Sequence, residues 1–187
     1  QGIEKEIDLS TSFTPNRFLS WHVVLEPSAS DFLVSSWNAR ALLHGHDPGK
    51  RKAKIHKVEH MMAKHTCTAV QETHGNDETM KALLIHKDFN FIINDSDGNS
   101  CWSNGADKDS HGGVCNLISR RKLAAGATVR HLELVPGRAL ASTITKADEV
   151  DGGICEVDFV NIHNEQLSRA DLETIKKWAL PRITRAN

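Results

Sequence analysis

Two residues stand where chemistry could be done, Asn38 and Glu72. Each sits at the end of a short β-prone run, residues 32–37 and 67–70, the second running out into Gln71-Glu72-Thr73-His74. Between the runs, residues 50–65 place Ile55, Val58, Met61 and Met62 at helical spacing among Lys and His. This is a β–α–β pattern, and its two strands should be parallel neighbours. Their carboxyl ends then point the same way, so both side chains emerge on one sheet edge, where such sheets hold ligands. A carboxylate beside an amide oxygen suits a hard cation such as Mg²⁺, which takes one or two carboxylates and keeps several waters. On this logic alone, two ordinary polar residues at strand ends are the favoured description of the pair.

Other groups compete for attention. His56-Lys57-Val58-Glu59-His60 matches H-x-x-E-H, a zinc-protease pattern. With 11 His in the chain the pattern is loose, and the same helix is needed as the β–α–β crossover, so its Lys/His side reads as a solvated face. His44-Gly45-His46 reads as a polar loop, and Arg120-Arg121-Lys122 as either a phosphate contact or a charged strand end. Trp37 and Phe91 read as core rather than as stacking platforms. The four cysteines form no C-x-x-C pair, and Cys67, Cys115 and Cys155 lie in or beside apolar runs. They should be buried free thiols, which suits a reducing, intracellular compartment, nuclear or cytoplasmic.

The elements that must position these groups follow from pattern. Residues 1–30 carry scattered apolar residues broken by Pro15 and Pro27 and read as a leader or linker. After the β–α–β unit a second helix is expected over 78–87, then strands at 91–93, 114–119, 128–135, 140–144 and 157–162. The polar stretch 94–113 reads as a surface loop. Leu132 and Leu134 flank Glu133 as in a half-buried strand, and Ser168 with Asp171 forms a capping box opening a last helix that Pro181 stops. Strands thus follow an initial βαβα order, which favours an α/β (α+β) fold, a layered β-sandwich flanked by helices. In composition, 39% hydrophobic and 25% charged residues exclude disorder, and no apolar run is long enough to span a membrane. A formal net charge of −1 excludes a globally basic coat, so any site for a polyanion must be a local patch.

Several of these segments carry a resemblance. Ser36-Trp37-Asn38-Ala39-Arg40-Ala41-Leu42 resembles the opening S-W-N-x-R-G-L of the endonuclease/exonuclease/phosphatase superfamily. Val70-Gln71-Glu72-Thr73-His74 is similar to its L-Q-E-T-H segment, and residues 112–120 to its G-G-V-A-x-L-x-S strand. Gly137-Arg138-Ala139-Leu140 and Val160-Asn161-Ile162-His163-Asn164 fall where that family has G-R and N-V-Y-x-P-N. Arg40 and His74 lean towards the endonucleases of LINE-type retrotransposons. The resemblance implies a Mg²⁺-dependent phosphodiesterase (Mn²⁺ as a substitute) acting on nucleic acid, DNA rather than RNA, with a reverse transcriptase downstream in the parent. It makes Glu72 the metal carboxylate, Asn38 a supporting ligand or orienter, and His163 the counterpart of a tyrosine that contacts the phosphate. Arg40, His74 and Asn164 would face the nucleic acid.

Two departures bear on activity. Ala41 stands where relatives carry Gly, and the G-D-x-N and S-D-H segments that supply water activation are absent from the 187 residues. Residues 31–187 therefore read as the N-terminal portion of such a domain, truncated before its C-terminal strands and catalytically incomplete. The alternative is a non-catalytic remnant or a module that binds nucleic acid or protein. Truncation further implies that the strands from residue 114 onward present apolar side chains with no partner layer.

Overall fold

The computed structural model describes residues 32–43, 48–75, 100–104, 112–147 and 153–183. The expected leader at 1–30, the helix at 78–87, the strand at 91–93 and the His44-Gly45-His46 loop lie outside them.

The chain is mixed α/β, with two sheets and two helices among the described residues. β1 (Val34–Asn38), α1 (Pro48–Lys64) and β2 (Cys67–Gln71) form the expected unit, with β1 and β2 parallel and Asn38 paired with Gln71. β3 (Cys101–Ser103) and β4 (Val114–Ile118) complete a four-stranded sheet of order β1-β2-β4-β3. A short 3-10 turn, Arg120–Lys122, leads on to β5 (Thr128–Val135), β6 (Ala139–Ala147) and β7 (Ile154–Ile162), an antiparallel three-stranded sheet. The chain then enters α2 (Arg169–Ile183).

Burial follows strand alternation. Along β4, Cys115 and Leu117 join α1's Ile55, Val58 and Met62 in one core. Ile118 faces the other way and meets Ile144 and Phe159 of the second sheet. Two buried asparagines bolt the sheets together. Asn161 of β7 donates to Val70 O at 3.1 Å and Cys115 O at 2.9 Å, and Asn116 of β4 donates to Leu140 O at 3.1 Å and Ser142 Oγ at 2.7 Å. The expected unpartnered sheet face is thereby corrected: β4 is buried throughout, because the second sheet covers it.

Three further expectations change. Residues 101–103, inside the stretch read as a surface loop, pair with β4, and Ser103 is buried. Leu132 is 52% exposed on the outer face that it shares with Thr128 and Arg130, and a register shift between Glu133 and Val135 keeps Leu134 off that face. α2 opens on the Ser168–Asp171 box as expected, with Asp171 N donating to Ser168 Oγ at 3.2 Å and Ser168 N to Asp171 Oδ2 at 2.8 Å. It passes Pro181 by two residues, however. Arg182 holds the end in place, stacking on Trp178, donating to Trp178 O and pairing with Asp158 of β7 at 3.3 Å. Cys67, Cys115 and Cys155 are free and buried as expected, and burial raises the Cys67 and Cys115 thiol pKa well above its ordinary value. No helix among the described residues is long and apolar enough to cross a membrane.

Candidate functional site

Asn38 and Glu72 meet at the shared edge of β1 and β2. Asn38 Nδ2 donates to Glu72 Oε1 at 2.5 Å, and Asn38 Oδ1 accepts from the Arg40 backbone N–H at 3.0 Å. Both ends of the Asn38 amide are thus engaged, which makes it the group that orients Glu72. The backbone is locally left-handed, with φ +45° at Arg40, +67° at Ala41, +53° at Glu72 and +50° at His74. Such residues persist only where their surroundings over-determine them. Here Ala41 N donates to Glu72 O at 2.8 Å, Leu43 N to Thr73 O at 2.9 Å, Thr73 N to Gly113 O at 3.1 Å and His74 N to Gly112 O at 2.9 Å. Lys54 of α1 ties the same turn, donating to the carbonyl oxygens of Arg40 and Ala41. Burial and the neighbouring Lys50 lower its pKa, against the opposite pull of Glu72.

His163 arrives from the end of β7. Its Nε2 lies 3.3 Å from Glu72 Oε1 and 3.6 Å from Glu165 Oε2, while its Nδ1 lies 2.8 Å from Arg138 Nη1. His163 N also donates to Arg138 O at 2.8 Å, one step beyond the Ala139–Ile162 pair of the β6–β7 ladder. Arg138 Nη2 continues to Gln166 Oε1 at 3.1 Å. The ring is 3% exposed. Burial first and Arg138 second hold its pKa below the ordinary histidine value, against the charges of Glu72 and Glu165 and a hydrogen bond to Glu72; the balance favours the neutral ring.

That neutrality settles the ring's chemistry. A guanidinium only donates, so Nδ1 accepts from Arg138 and the single ring proton sits on Nε2. Nε2 is buried and makes no aligned hydrogen bond. Glu72, His163 and Glu165 do bring one ligand-type atom each within 4.8 Å of one another. With its proton on Nε2 and Nδ1 engaged, however, His163 offers no lone pair to a metal. The remaining donors are the half-buried Glu72 and the exposed Glu165. One or two carboxylates are a donor set that a largely hydrated Mg²⁺ or Mn²⁺ accepts.

Of the remaining sequence candidates, His74 reaches the cluster, its Nε2 3.8 Å from Glu72 Oε2. Arg40 contributes backbone groups while its side chain is exposed, and Asn164 makes no hydrogen bond or ion pair to the cluster. His56 and Glu59 form an exposed surface pair at 3.0 Å, so the H-x-x-E-H pattern is a helix face. Arg120–Lys122 are exposed and lie beyond the far end of β4.

Two neighbours of the cluster, Glu165 and Lys54, are not marked by the sequence reading, and Arg138 enters it only within the G-R segment and without a role. Arg138 and Glu165 flank the β6–β7 pairing that joins them, so a hairpin register was the signal available. The Gly112-Gly113 pair also gains a reason. Gly112 (φ +98°) passes so close to Arg138 that a Cβ there would stand 2.7 Å from Nη1, and Gly113 (φ +85°) is pressed against Thr73 Oγ1.

Comparison with models of known protein families and with curated proteins finds no match for this chain.

Proposed function

We propose that this chain carries the metal- and phosphate-holding part of a phosphodiesterase of the endonuclease/exonuclease/phosphatase type, in its retrotransposon branch, with DNA as substrate. The observation that supports the reading best is the buried His163 Nε2–H beside Glu72. It lacks an aligned hydrogen-bond partner although it stands 3.3 Å from Glu72 Oε1, and a small rearrangement of that carboxylate would let it donate to an oxygen of a phosphate diester. All five segments that carry the resemblance also converge on this one edge.

The residues divide the work. Glu72 holds the cation, and Asn38 fixes that carboxylate. Arg138 fixes the His163 ring, which donates to a non-bridging oxygen. A Mg²⁺ ion held there supplies Lewis-acid charge to the phosphate. The segments that activate water in that superfamily are absent from these 187 residues. Because members of such a unit act together, losing some removes nearly all activity. The reading for these 187 residues is binding without turnover.

Calorimetric titration of Mg²⁺ into the chain and into Glu72→Gln tests the metal assignment. Binding is expected in the first and lost in the second, and equal binding in both would overturn it. Supercoiled-plasmid nicking tests the rest. The chain should leave plasmid intact, and a version extended by G-D-x-N and S-D-H segments should nick it. An extended version that binds Mg²⁺ yet never nicks would favour the binding-module alternative.

A further inference from the structure

Helix α1 carries six Lys or Arg and one Glu in 17 residues, in a chain whose formal net charge is −1. This concentration does not serve the helix itself. The first turn holds Lys50 and Arg51 and no acid, which opposes the helix dipole. The one acid, Glu59, pairs with His56 and stands about 160° round the helix from Lys57. Among the described residues, Arg51, Lys52 and Lys64 make no ion pair.

The cations are ordered as well as numerous. Lys50, Lys57 and Lys64 recur every seven residues, which sets them in one stripe along the helix, with Lys54 beside it. Ile55, Val58 and Met62 face the core, centred about 130° round the helix from the stripe. The stripe begins at the candidate site. Lys54 grips the turn after Asn38, and Lys57 lies 4.3 Å over the ring of Trp37, the residue before it. From Lys50 to Lys64 the axis advances roughly 21 Å, about six phosphate steps of one DNA strand. No large apolar side chain is exposed along α1, so the face has nothing to insert into a bilayer.

We propose that the lysine stripe of α1 is a docking track for the phosphate backbone of duplex DNA, leading to the edge that holds Glu72 and His163. The proposal deepens the phosphodiesterase reading and rests on it for the choice of DNA as the polyanion. Contacts of this kind position the nucleic acid without reading its sequence.

The test is fluorescence anisotropy of a labelled 20-base-pair duplex, titrated with the full chain at several salt concentrations in EDTA. EDTA removes the metal from the question. Failure to bind DNA here would overturn the track alone, whereas loss of the Glu72 dependence of Mg²⁺ binding would overturn only the function reading. Lys50→Gln, Lys57→Gln and Lys64→Gln combined keep helix propensity nearly constant. They should weaken binding at least tenfold and flatten the slope of log K against log salt by about 2.7. Arg120→Gln, Arg121→Gln and Lys122→Gln remove the same charge from the 3-10 turn and should change affinity less than threefold. Equal losses in the two triple variants would show a generic charge effect and overturn the proposal. Tighter capture by phosphatidylserine vesicles than by duplex at equal salt would replace DNA with a membrane surface and overturn it too.

Discussion

Arg138 Nη1 stands 2.8 Å from His163 Nδ1, and this contact decides what His163 is. A donor-only neighbour on Nδ1 forces the neutral ring to carry its proton on Nε2. The ring is thereby a hydrogen-bond donor, as a tyrosine hydroxyl would be, in a chain that has no tyrosine. Nitrogen-15 spectra of the imidazole should show an unprotonated Nδ1 and a protonated Nε2 in the metal-free chain. Arg138→Gln should mix the tautomers while leaving the fold intact. A predominantly Nδ1–H ring in the unmodified chain would refute this assignment.

The same surroundings make stability depend on pH. Burial and Arg138 lower the folded-state pKa of His163 beneath its unfolded value of about 6.5. A lowered histidine pKa means that the unfolded state takes up the proton more readily. The contribution is therefore intact above about pH 6.5 and is lost as pH falls through that value towards the folded pKa. Urea midpoints in EDTA should drop between pH 7 and pH 5 more steeply for the unmodified chain than for His163→Gln. Parallel pH profiles would show that the ring titrates normally.

Asn161 offers a stability test of the sandwich. Its amide donates to Val70 O and Cys115 O, and its Oδ1 accepts from Gln71 Nε2 at 2.6 Å. Asn161→Ala would remove three buried hydrogen bonds to the first sheet, at a cost of about 3 kcal/mol. Asn164→Ala, at a side chain with no hydrogen bond among the described residues, should cost less than about 0.5 kcal/mol. Urea unfolding of both variants separates the two. Similar midpoints would mean the inter-sheet bonds carry little.

These contrasts show where sequence was readable. The meeting of Asn38 with Glu72 followed from a β–α–β period alone, because parallel strands joined by one crossover must end on one edge. α1 and the α2 cap were equally plain, since both are written within a few residues. β3 was missed because three residues amid polar neighbours show no period, and its pairing with β4 supplies the order. Leu132 was misplaced because its spacing from Leu134 gives no sign of the bulge that separates their faces. The Arg138–His163 contact spans 25 residues and depends on the register of β6 on β7, which local pattern does not encode.

Ala41 provides the last prediction, at a position where this chain departs from the motif it resembles. Its φ of +67° lies in the left-handed region, where glycine is free of strain and alanine is not. Hydrogen bonds on both sides hold it there: its N–H donates to Glu72 O at 2.8 Å and its carbonyl accepts from Lys54 Nζ at 3.2 Å. The strain of a Cβ in this region is about 1–2 kcal/mol. Replacing alanine by glycine removes that strain but adds about 0.4–1 kcal/mol of unfolded-state freedom. Ala41→Gly should therefore stabilise the chain by about 0.5–1 kcal/mol, against the usual sign of that substitution. Ala39→Gly is the control, since Ala39 is buried outside the left-handed region and should lose stability. Urea midpoints compared at equal slope give both values. A fall in stability for Ala41→Gly would mean that the turn beside Glu72 is not held left-handed in solution.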